Sequence, residues 1–392
     1  MTKDHKQNVL IVHNYYQIPG GEDTVVSNEK KMLEENGHKV FLYTRNNKEI
    51  NEYNVFQKIK LPFASIFSLK TYFEIKKIIK EQDIEIVHVH NTLSLISPSV
   101  FYACNRLHVP VVQTMHNFRL LCPNATFFYK GKICEDCLHG CKLISVKRKC
   151  YRNSATQTLC CVINNFVHGV TGIYKKIYFI CLTEFNKNKL LNYKGIHEDR
   201  IFIKPNFTSK PDVEVKEVKE NFYLFVGRME EIKGVRLLVK AFSLMPDKNV
   251  KVIGDGPLFE ELKEECLNHE NIQLLGRKNH DEVMHEMARA KALIITSQIY
   301  EGFPVIIPEA FSVKTPIIAG DVGNTTSLVQ DGINGLKFKY DSAESLAETV
   351  TRFENINVSS IETINYNSYL ENYTKEKNYM LLKAIYDRMA DI

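Results

Sequence analysis

The sequence predicts an α/β protein built from two parallel-sheet domains, and three observations carry that expectation. Short apolar, β-branched runs alternate with longer helical patterns along the whole chain, as in sheets covered by helices. The 392 residues exceed what one hydrophobic core ordinarily holds. A charged, proline-containing stretch without apolar periodicity, residues 204–222, separates two halves of similar layout and reads as a linker.

The expected strands of the first half are 9–13, 39–44, 84–89, 109–115, 178–183 and 201–204. Those of the second half are 222–226, 250–253, 272–275, 292–296 and 316–319. Each is a short run of Val, Ile, Phe and Tyr bounded by polar or turn residues. The end of the chain, 369–389, sets Tyr379, Leu382, Ile385 and Met389 at helical spacing and is expected to be one helix.

Composition narrows the class. With 44% hydrophobic and 25% charged residues the chain reads as globular, not disordered or fibrous. No apolar run reaches the roughly 18–20 residues that span a bilayer. The start, MTKDHKQNVLIVHN, has no secretory h-region, so a cytoplasmic location is expected. Charge is divided: 29 Lys and Arg face 17 Asp and Glu before residue 206, and 22 face 29 after it. A basic first half suggests an anionic partner there.

Four segments carry chemistry. In QIPGGED, Gly20 and Gly21 permit positive φ and close backbone approach, and a helix opens at Glu22 with N–H groups that favour an anion. In YLFVGRMEEIKGVRLLVKAF, Arg228 and Lys233 lie just beyond the carboxyl end of a strand, where two cations suit a diphosphate. In VKVIGDGPLFEEL, Gly254 and Gly256 form a turn after a strand, but Phe259 occupies the place of a third fingerprint glycine, which disfavours a nicotinamide site. In SQIYEGFPVIIPEAFS, Glu301 and Glu309 stand eight positions apart around a helix expected to begin near Pro304. At ~1.5 Å per helical residue the two carboxylates can address groups roughly 10 Å apart, such as a donor sugar and a ribose.

Gly227-Arg228, Lys233-Gly234, Gly254-Asp255-Gly256-Pro257 and Glu301–Glu309, in this order, closely resemble glycosyltransferase family 4, with Glu301 and Glu309 in its E-x7-E motif. The resemblance covers nearly the whole chain. It implies a GT-B fold: two facing Rossmann-like domains with the active site in the cleft between them. The implied domains are 1–205, an acceptor domain with a Cys-rich insertion near 119–153; 206–368, a nucleotide-sugar domain; and 369–392, a helix crossing back. The implied reaction is retaining hexosyl transfer from a nucleotide-diphosphate sugar, UDP-linked by default and GDP-mannose the rival, with no metal at the sugar. The implied acceptor is a glycan or lipid-linked precursor of a surface polysaccharide at the inner face of the cell membrane.

By the same resemblance, Arg228 and Lys233 hold the donor phosphates, Glu309 the ribose, and Glu301 the sugar together with the Phe303–Pro304–Val305 backbone, in which Phe303 and Val305 supply the N–H groups. Gly20 and Gly21 approach the phosphates from the other domain. His116, in QTMHNFRLLCPN, matches a histidine placed beside the donor sugar, although Asn117 stands where many relatives have Asp. His88 and His90 of VHVHN are expected on opposite faces of their strand and are given no role.

Seven of the ten cysteines fall between Cys122 and Cys161. Cys134-x2-Cys137 is a plausible metal knuckle, and Cys122, Cys141 and Cys150 are candidates to complete it. A subset of family 4 enzymes has a similar Cys-Pro-Asn, Cys-x2-Cys and Cys-Tyr-Arg arrangement, which favours Cys122, Cys134, Cys137 and Cys150 as a structural zinc set. Thiols or a redox-sensitive disulfide are the alternatives. Cys160 and Cys161 are expected to pack on a helix. Lys142, Lys147, Arg148, Lys149 and Arg152, with Lys58, Lys60, Lys76, Lys77 and Lys80, suggest a basic face for an anionic membrane. Two other classes are weighed: a nucleotide-sugar epimerase, and a zinc-dependent nucleic-acid protein. The donor-side residues argue against both.

Overall fold

The computed structural model describes residues 5–18, 20–215 and 218–390. They fall into two compact units: Met1–Thr126 with Glu135–Asn206 and Asn378–Ile392, and Phe127–Cys134 with Phe207–Lys377. Each unit carries one six-stranded, all-parallel sheet.

In the first unit the strands are β1 (Asn8–Tyr15), β2 (Lys39–Asn46), β3 (Ile86–Asn91), β4 (Val111–Met115), β5 (Tyr178–Cys181) and β6 (Ile201–Ile203). Their order is β2-β1-β3-β4-β5-β6. Val9 through Asn14 and all of β3 are buried, because helices on both faces leave a central parallel strand no solvent side. The order reverses between β1 and β3, so their carboxyl ends, His13–Tyr15 and His90–Asn91, open the crevice where such sheets bind ligands.

In the second unit the strands are β7 (Tyr223–Val226), β8 (Val250–Ile253), β9 (Ile272–Gly276), β10 (Leu293–Ile295), β11 (Ile317–Gly320) and β12 (Leu336–Phe338). The order is β9-β8-β7-β10-β11-β12, the dinucleotide-fold order, with its reversal between β7 and β10. All eleven expected strands are present, with ends displaced by up to two residues. Sequence reading missed β12 and the antiparallel hairpin Phe128–Tyr129/Lys132–Ile133. That hairpin turns on Lys130 and Gly131, both at positive φ, a pairing that matches the strands' twist.

A further expectation is corrected. The end of the chain is two helices, Val358–Asn372 and Lys375–Ala390. Tyr373 leaves the helical conformation, and the Thr374 hydroxyl accepts from Lys377 N at 3.4 Å, so a capping residue restarts the helix. The first of these helices belongs wholly to the second unit, and the residues from Asn378 onward count with the first. The stretch 204–222, read as the linker, holds the border between the units at Asn206 and Phe207, but its first residue is packed inside. Lys204 is fully buried, and its ammonium pairs with Glu29 and donates to Asn378 Oδ1 at 3.0 Å.

Glu29 sits on the buried face of helix Gly21–Glu35 beside Val25, Val26, Met32 and Leu33. A carboxylate there stays charged only with a partner. Removing one member of such a pair leaves an uncompensated buried charge, so Lys204→Met is expected to cost about 3–5 kcal/mol. Lys204→Met with Glu29→Gln is expected to recover more than half. Urea unfolding of the three proteins checks this; equal losses in the single and double variants would contradict it.

Candidate functional site

At the switch point of the second sheet, β7 ends in Gly227-Arg228 and β10 in Thr296-Ser297. A 3-10 turn, Glu231–Lys233, bridges them: Thr296 Oγ1 donates to Lys233 O at 2.8 Å, and Gln298 N donates to Ile232 O at 2.9 Å. Lys233 Nζ then donates to Glu301 Oε1 at 2.9 Å, and the Ser297 hydroxyl donates to the same oxygen. Burial alone would raise Glu301, but the Lys233 ammonium and the Ser297 hydroxyl hold it below the usual carboxylate range. The structure thus brings Lys233 and Glu301 together as a fixed charge pair at the mouth of the sheet.

Glycine makes this approach feasible. A Cβ on Gly234, at φ +67°, would lie 2.1 Å from Thr296 O, and one on Gly254, at φ +146°, would lie 1.8 Å from Gly227 O. A Cβ on Gly256 would meet Met229 O at 2.5 Å. The last two glycines therefore let the 254–256 turn stack against the 227–229 loop. Gly20 and Gly21 differ: neither has a positive φ, and a Cβ on either would meet nothing within 4 Å. What they provide is open space above the start of helix Gly21–Glu35.

The other residues expected on this side are more dispersed. Arg228 is exposed, 3.7 Å from Glu230. The expected helix begins at Ile306, two residues later than read, with Val305 as its cap. The Phe303 side chain is buried, its ring 6.2 Å from that of Tyr373. Glu309 lies in the first turn, 3.9 Å from His280 Nδ1, and burial raises its carboxyl to about 7. Asn324 was missed by sequence reading. Its side-chain amide donates to Glu301 O at 2.5 Å and Gly302 O at 2.7 Å and shapes the loop between the two glutamates.

In the first unit four histidines gather at the carboxyl ends of β1, β3 and β4. His88 and His90 stack with ring centroids 4.3 Å apart, and His90 and His116 stack at 5.2 Å. The expectation that His88 and His90 face opposite sides is wrong: alternation has a period of two, so residues i and i+2 share a face. His88 is saturated, with Nδ1 2.8 Å from Tyr386 Oη and Nε2 2.7 Å from Thr114 Oγ1. His90 Nδ1 lies 2.9 Å from His116 Nε2. His90 Nε2 and Glu29 Oε2 face one another at 3.3 Å, and His88 Nδ1 lies 3.7 Å from the same oxygen. A proton on His90 Nε2, facing the carboxylate, leaves Nδ1 to accept from His116 Nε2, which makes His116 Nδ1 an acceptor.

Burial holds His116 well below the ordinary histidine value, with His90 adding to the effect. Burial likewise lowers His13 to about 4, against the pull of Asp23, whose carboxylate is 2.8 Å from His13 Nε2. Asn117 does not orient His116. Its Oδ1 accepts from Arg119 N at 3.1 Å, and its amide donates to Tyr16 Oη at 3.4 Å. Orientation comes instead from His90 and Glu29, and the sequence signal for it is the pair of histidines two apart on one strand.

His90 and His116 open onto a cavity of about 380 Å³ within the first unit. Its walls include Lys58, Arg119 and Arg152, apolar Leu61, Pro62 and Leu120, and both Cys160 and Cys161 of helix Ala155–Val170.

Two metal questions have different answers. Glu29, His88 and His90 offer ligand atoms within 4.8 Å of one another. The Lys204 ammonium already supplies positive charge to Glu29, and His88 has both nitrogens hydrogen-bonded, so this group fits a lysine better than an ion. Cys104, Cys141, Cys160, Cys161, Cys181 and Cys266 carry free thiols. Cys122, Cys137 and Cys150 belong to the first unit, and Cys134 ends the hairpin segment assigned to the second. Burial lowers Lys142, while Cys137 and Cys122 both counter that, so these two thiols share its surroundings.

Comparison with known proteins agrees with this geometry. The family model for group 1 glycosyl transferases matches residues 206–377, and that for glycosyltransferase family 4 matches residues 19–132. An uncharacterised glycosyltransferase of Methanocaldococcus jannaschii is 27% identical over 98% of this chain and 99% of its own. The α-monoglucosyldiacylglycerol synthase of Streptococcus pneumoniae is 24% identical over 96% of this chain and 85% of its own. Among solved structures, a Rickettsia africae glycosyltransferase superposes with a TM-score of 0.71 at 18% identity, over 98% of both chains. Anabaena HepE, in complex with UDP-glucose, gives 0.64 at 14% identity, over 97% of this chain and 99% of that one. With two Rossmann-like sheets, charged groups at both switch points and these likenesses along its length, the chain is a GT-B-fold glycosyltransferase related to the group 1 and family 4 glycosyltransferases.

Proposed function

We propose that the enzyme moves a sugar from a nucleoside diphosphate sugar, UDP-linked, onto a hydroxyl of a lipid-linked surface-polysaccharide precursor, with retention at the anomeric carbon. The observation that carries this reading is the Lys233–Glu301–Ser297 constellation at the switch point of the second sheet. The Anabaena neighbour carries UDP-glucose, and the pneumococcal relative is named for a glycolipid, which supports the donor and the acceptor class respectively.

Lys233 and Arg228 are the two cations for the diphosphate. As the bond from the anomeric carbon to the phosphate oxygen breaks, its electron pair leaves with the nucleoside diphosphate, and cations already in place lower the energy of that charge. The acceptor oxygen bonds the same face of that carbon, and its proton passes to the departing phosphate. Glu301 and the backbone N–H groups at Phe303 and Val305 address the sugar, Glu309 accepts from the ribose hydroxyls, and Gly20 and Gly21 leave room for the phosphates. His116, held by His90 and Glu29, accepts a hydrogen bond from a sugar hydroxyl through Nδ1. A structural zinc on thiols of the cysteine segment belongs to the same reading and has no part in transfer; about one zinc per chain is expected in protein purified without chelator.

A panel of nucleotide sugars in thermal-shift assays, followed by product analysis by NMR, tests the proposal. Stabilisation by UDP-sugars and an α-linked product from an α-linked donor are expected. An epimerised nucleotide sugar without transfer, or inversion of the product, would overturn it. His116→Ala and Glu29→Gln are expected to lower kcat by about tenfold or more while leaving donor affinity within a few-fold. Equal effects on donor binding would contradict their role.

Glu309 predicts a pH dependence. Its carboxyl is raised from 4.5 to about 7, so the stability of its neutral form is fully present below the ordinary value and is lost as pH rises through about 7. Glu309→Gln stays neutral. Without ligand it is expected to melt near wild type at acid pH and roughly 2–4 °C higher above the shifted value. The ribose hydroxyls need a charged acceptor, so wild-type nucleotide affinity is expected to rise with pH across that window, whereas the variant's stays weak and flat. Isothermal titration at several pH values reads both.

A further inference from the structure

Helices Val55–Ile66 and Ala155–Val170 of the first unit expose what a folded surface ordinarily hides. The first has no buried residue at all. Its Val55, Phe56, Ile59 and Phe63 are 61–76% exposed, and their spacing puts them within one arc of roughly 100°. Along the second helix, Phe166 and Val170 are 69% and 73% exposed and continue the line of Leu159 and Ile163. The helices are pinned to one another by polar contacts: Asn164 Nδ2 donates to Ser65 O at 2.8 Å, and His168 Nε2 lies 2.9 Å from Ile66 O. The two helices are therefore held against one another, and each carries an exposed apolar stripe of the kind that marks an interaction site.

Charge identifies what covers it. No acidic residue occurs between Glu52 and Glu74 or between Asp136 and Glu184. Lys58 and Lys60 lie on either side of the apolar arc by their helical angles, and Lys147, Lys149 and Arg152 are exposed in the second stretch. Three of the residues expected in a basic face are otherwise engaged: Lys142 donates to Leu120 O at 2.9 Å, Arg148 pairs with Asp136 at 2.6 Å, and Lys77 lies 3.8 Å from Glu81. An apolar stripe rimmed by lysines is the pattern of a helix lying in the interfacial layer of a bilayer. A second copy is a poor occupant, because a two-fold contact would set these lysines against each other.

We propose that the two helices insert their exposed apolar residues into the headgroup layer of an anionic membrane, which holds the first unit and its 380 Å³ cavity within reach of the polar head of a membrane-anchored acceptor. The geometry links the two. Lys58, Leu61 and Ser65 of the first helix and Asn164 of the second line the cavity, on faces adjoining or opposite the exposed stripes. Insertion is a property of the surface alone; the cavity's occupant rests on the function proposed above.

Cosedimentation of the full chain with phosphatidylglycerol-containing and pure phosphatidylcholine vesicles tests this. At least tenfold stronger binding to the anionic vesicles is expected. Phe56→Ser with Phe63→Ser, which removes exposed groups outside the cavity wall, is expected to lower it by about tenfold with melting temperature and UDP-sugar stabilisation unchanged. Undiminished vesicle binding by that variant, no vesicle binding by wild type, or a concentration-dependent dimer that the variant abolishes would each overturn the proposal. UDP-sugar stabilisation on the same samples separates the two ideas: its absence alongside vesicle binding sinks the donor reading and leaves the surface standing.

Discussion

A single buried carboxylate organises the first unit. Glu29 lies among apolar side chains of helix Gly21–Glu35, and its charge is tenable only because Lys204 pairs with it, aided by the histidines of β3. Burial alone would raise it, and those partners hold it well below the ordinary range. Four distant stretches of sequence therefore meet at one point: the first helix, β3, the residue after β6, and the last helix through Asn378 and Tyr386. The same carboxylate reaches His116 through His90, so the charge that ties the fold also fixes the ring at the cavity.

The second unit solves a different problem. It must hold a lysine and a glutamate at a sheet mouth without letting the intervening loops stand apart. It does so by removing side chains. With glycine at 234, 254 and 256, the backbone carbonyls of Thr296, Gly227 and Met229 occupy the space a Cβ would fill. The result is a rigid rim on which charge can be placed before a ligand arrives, as preorganised electrostatics requires.

Much of the architecture was legible because it is written locally. A buried parallel strand is a short apolar run, and eleven of them stood out. Leu336–Phe338 did not, since three residues between lysines and glycines carry too little pattern. Arg228, Lys233 and Glu301 stood out for the same reason: a strand end followed by a cation, or a carboxylate beside a glycine, is a contiguous signal. Glu29, His90 and Asn324 were not, because their meaning lies in partners far along the chain. The burial of Lys204 was not legible either. In sequence it opens a charged stretch, and only the tertiary structure shows the carboxylate that draws it inside. The break at Tyr373 was likewise invisible to a periodicity that continues on both sides of it.

The placement of the last helix has a consequence for the order in which the protein can be made. Residues from Asn378 onward belong to the first unit, where Asn378 receives the Lys204 ammonium and Tyr386 meets His88. A ribosome synthesises that unit's sheet first and its closing helix only after the whole of the second unit has been made. The earliest part of the chain thus waits, with a charged and incompletely paired interior, for the latest. Closure of the first unit is coupled to the synthesis of these residues, and a nascent chain stopped near residue 373 would have every strand of both sheets and still lack the piece that seals the first.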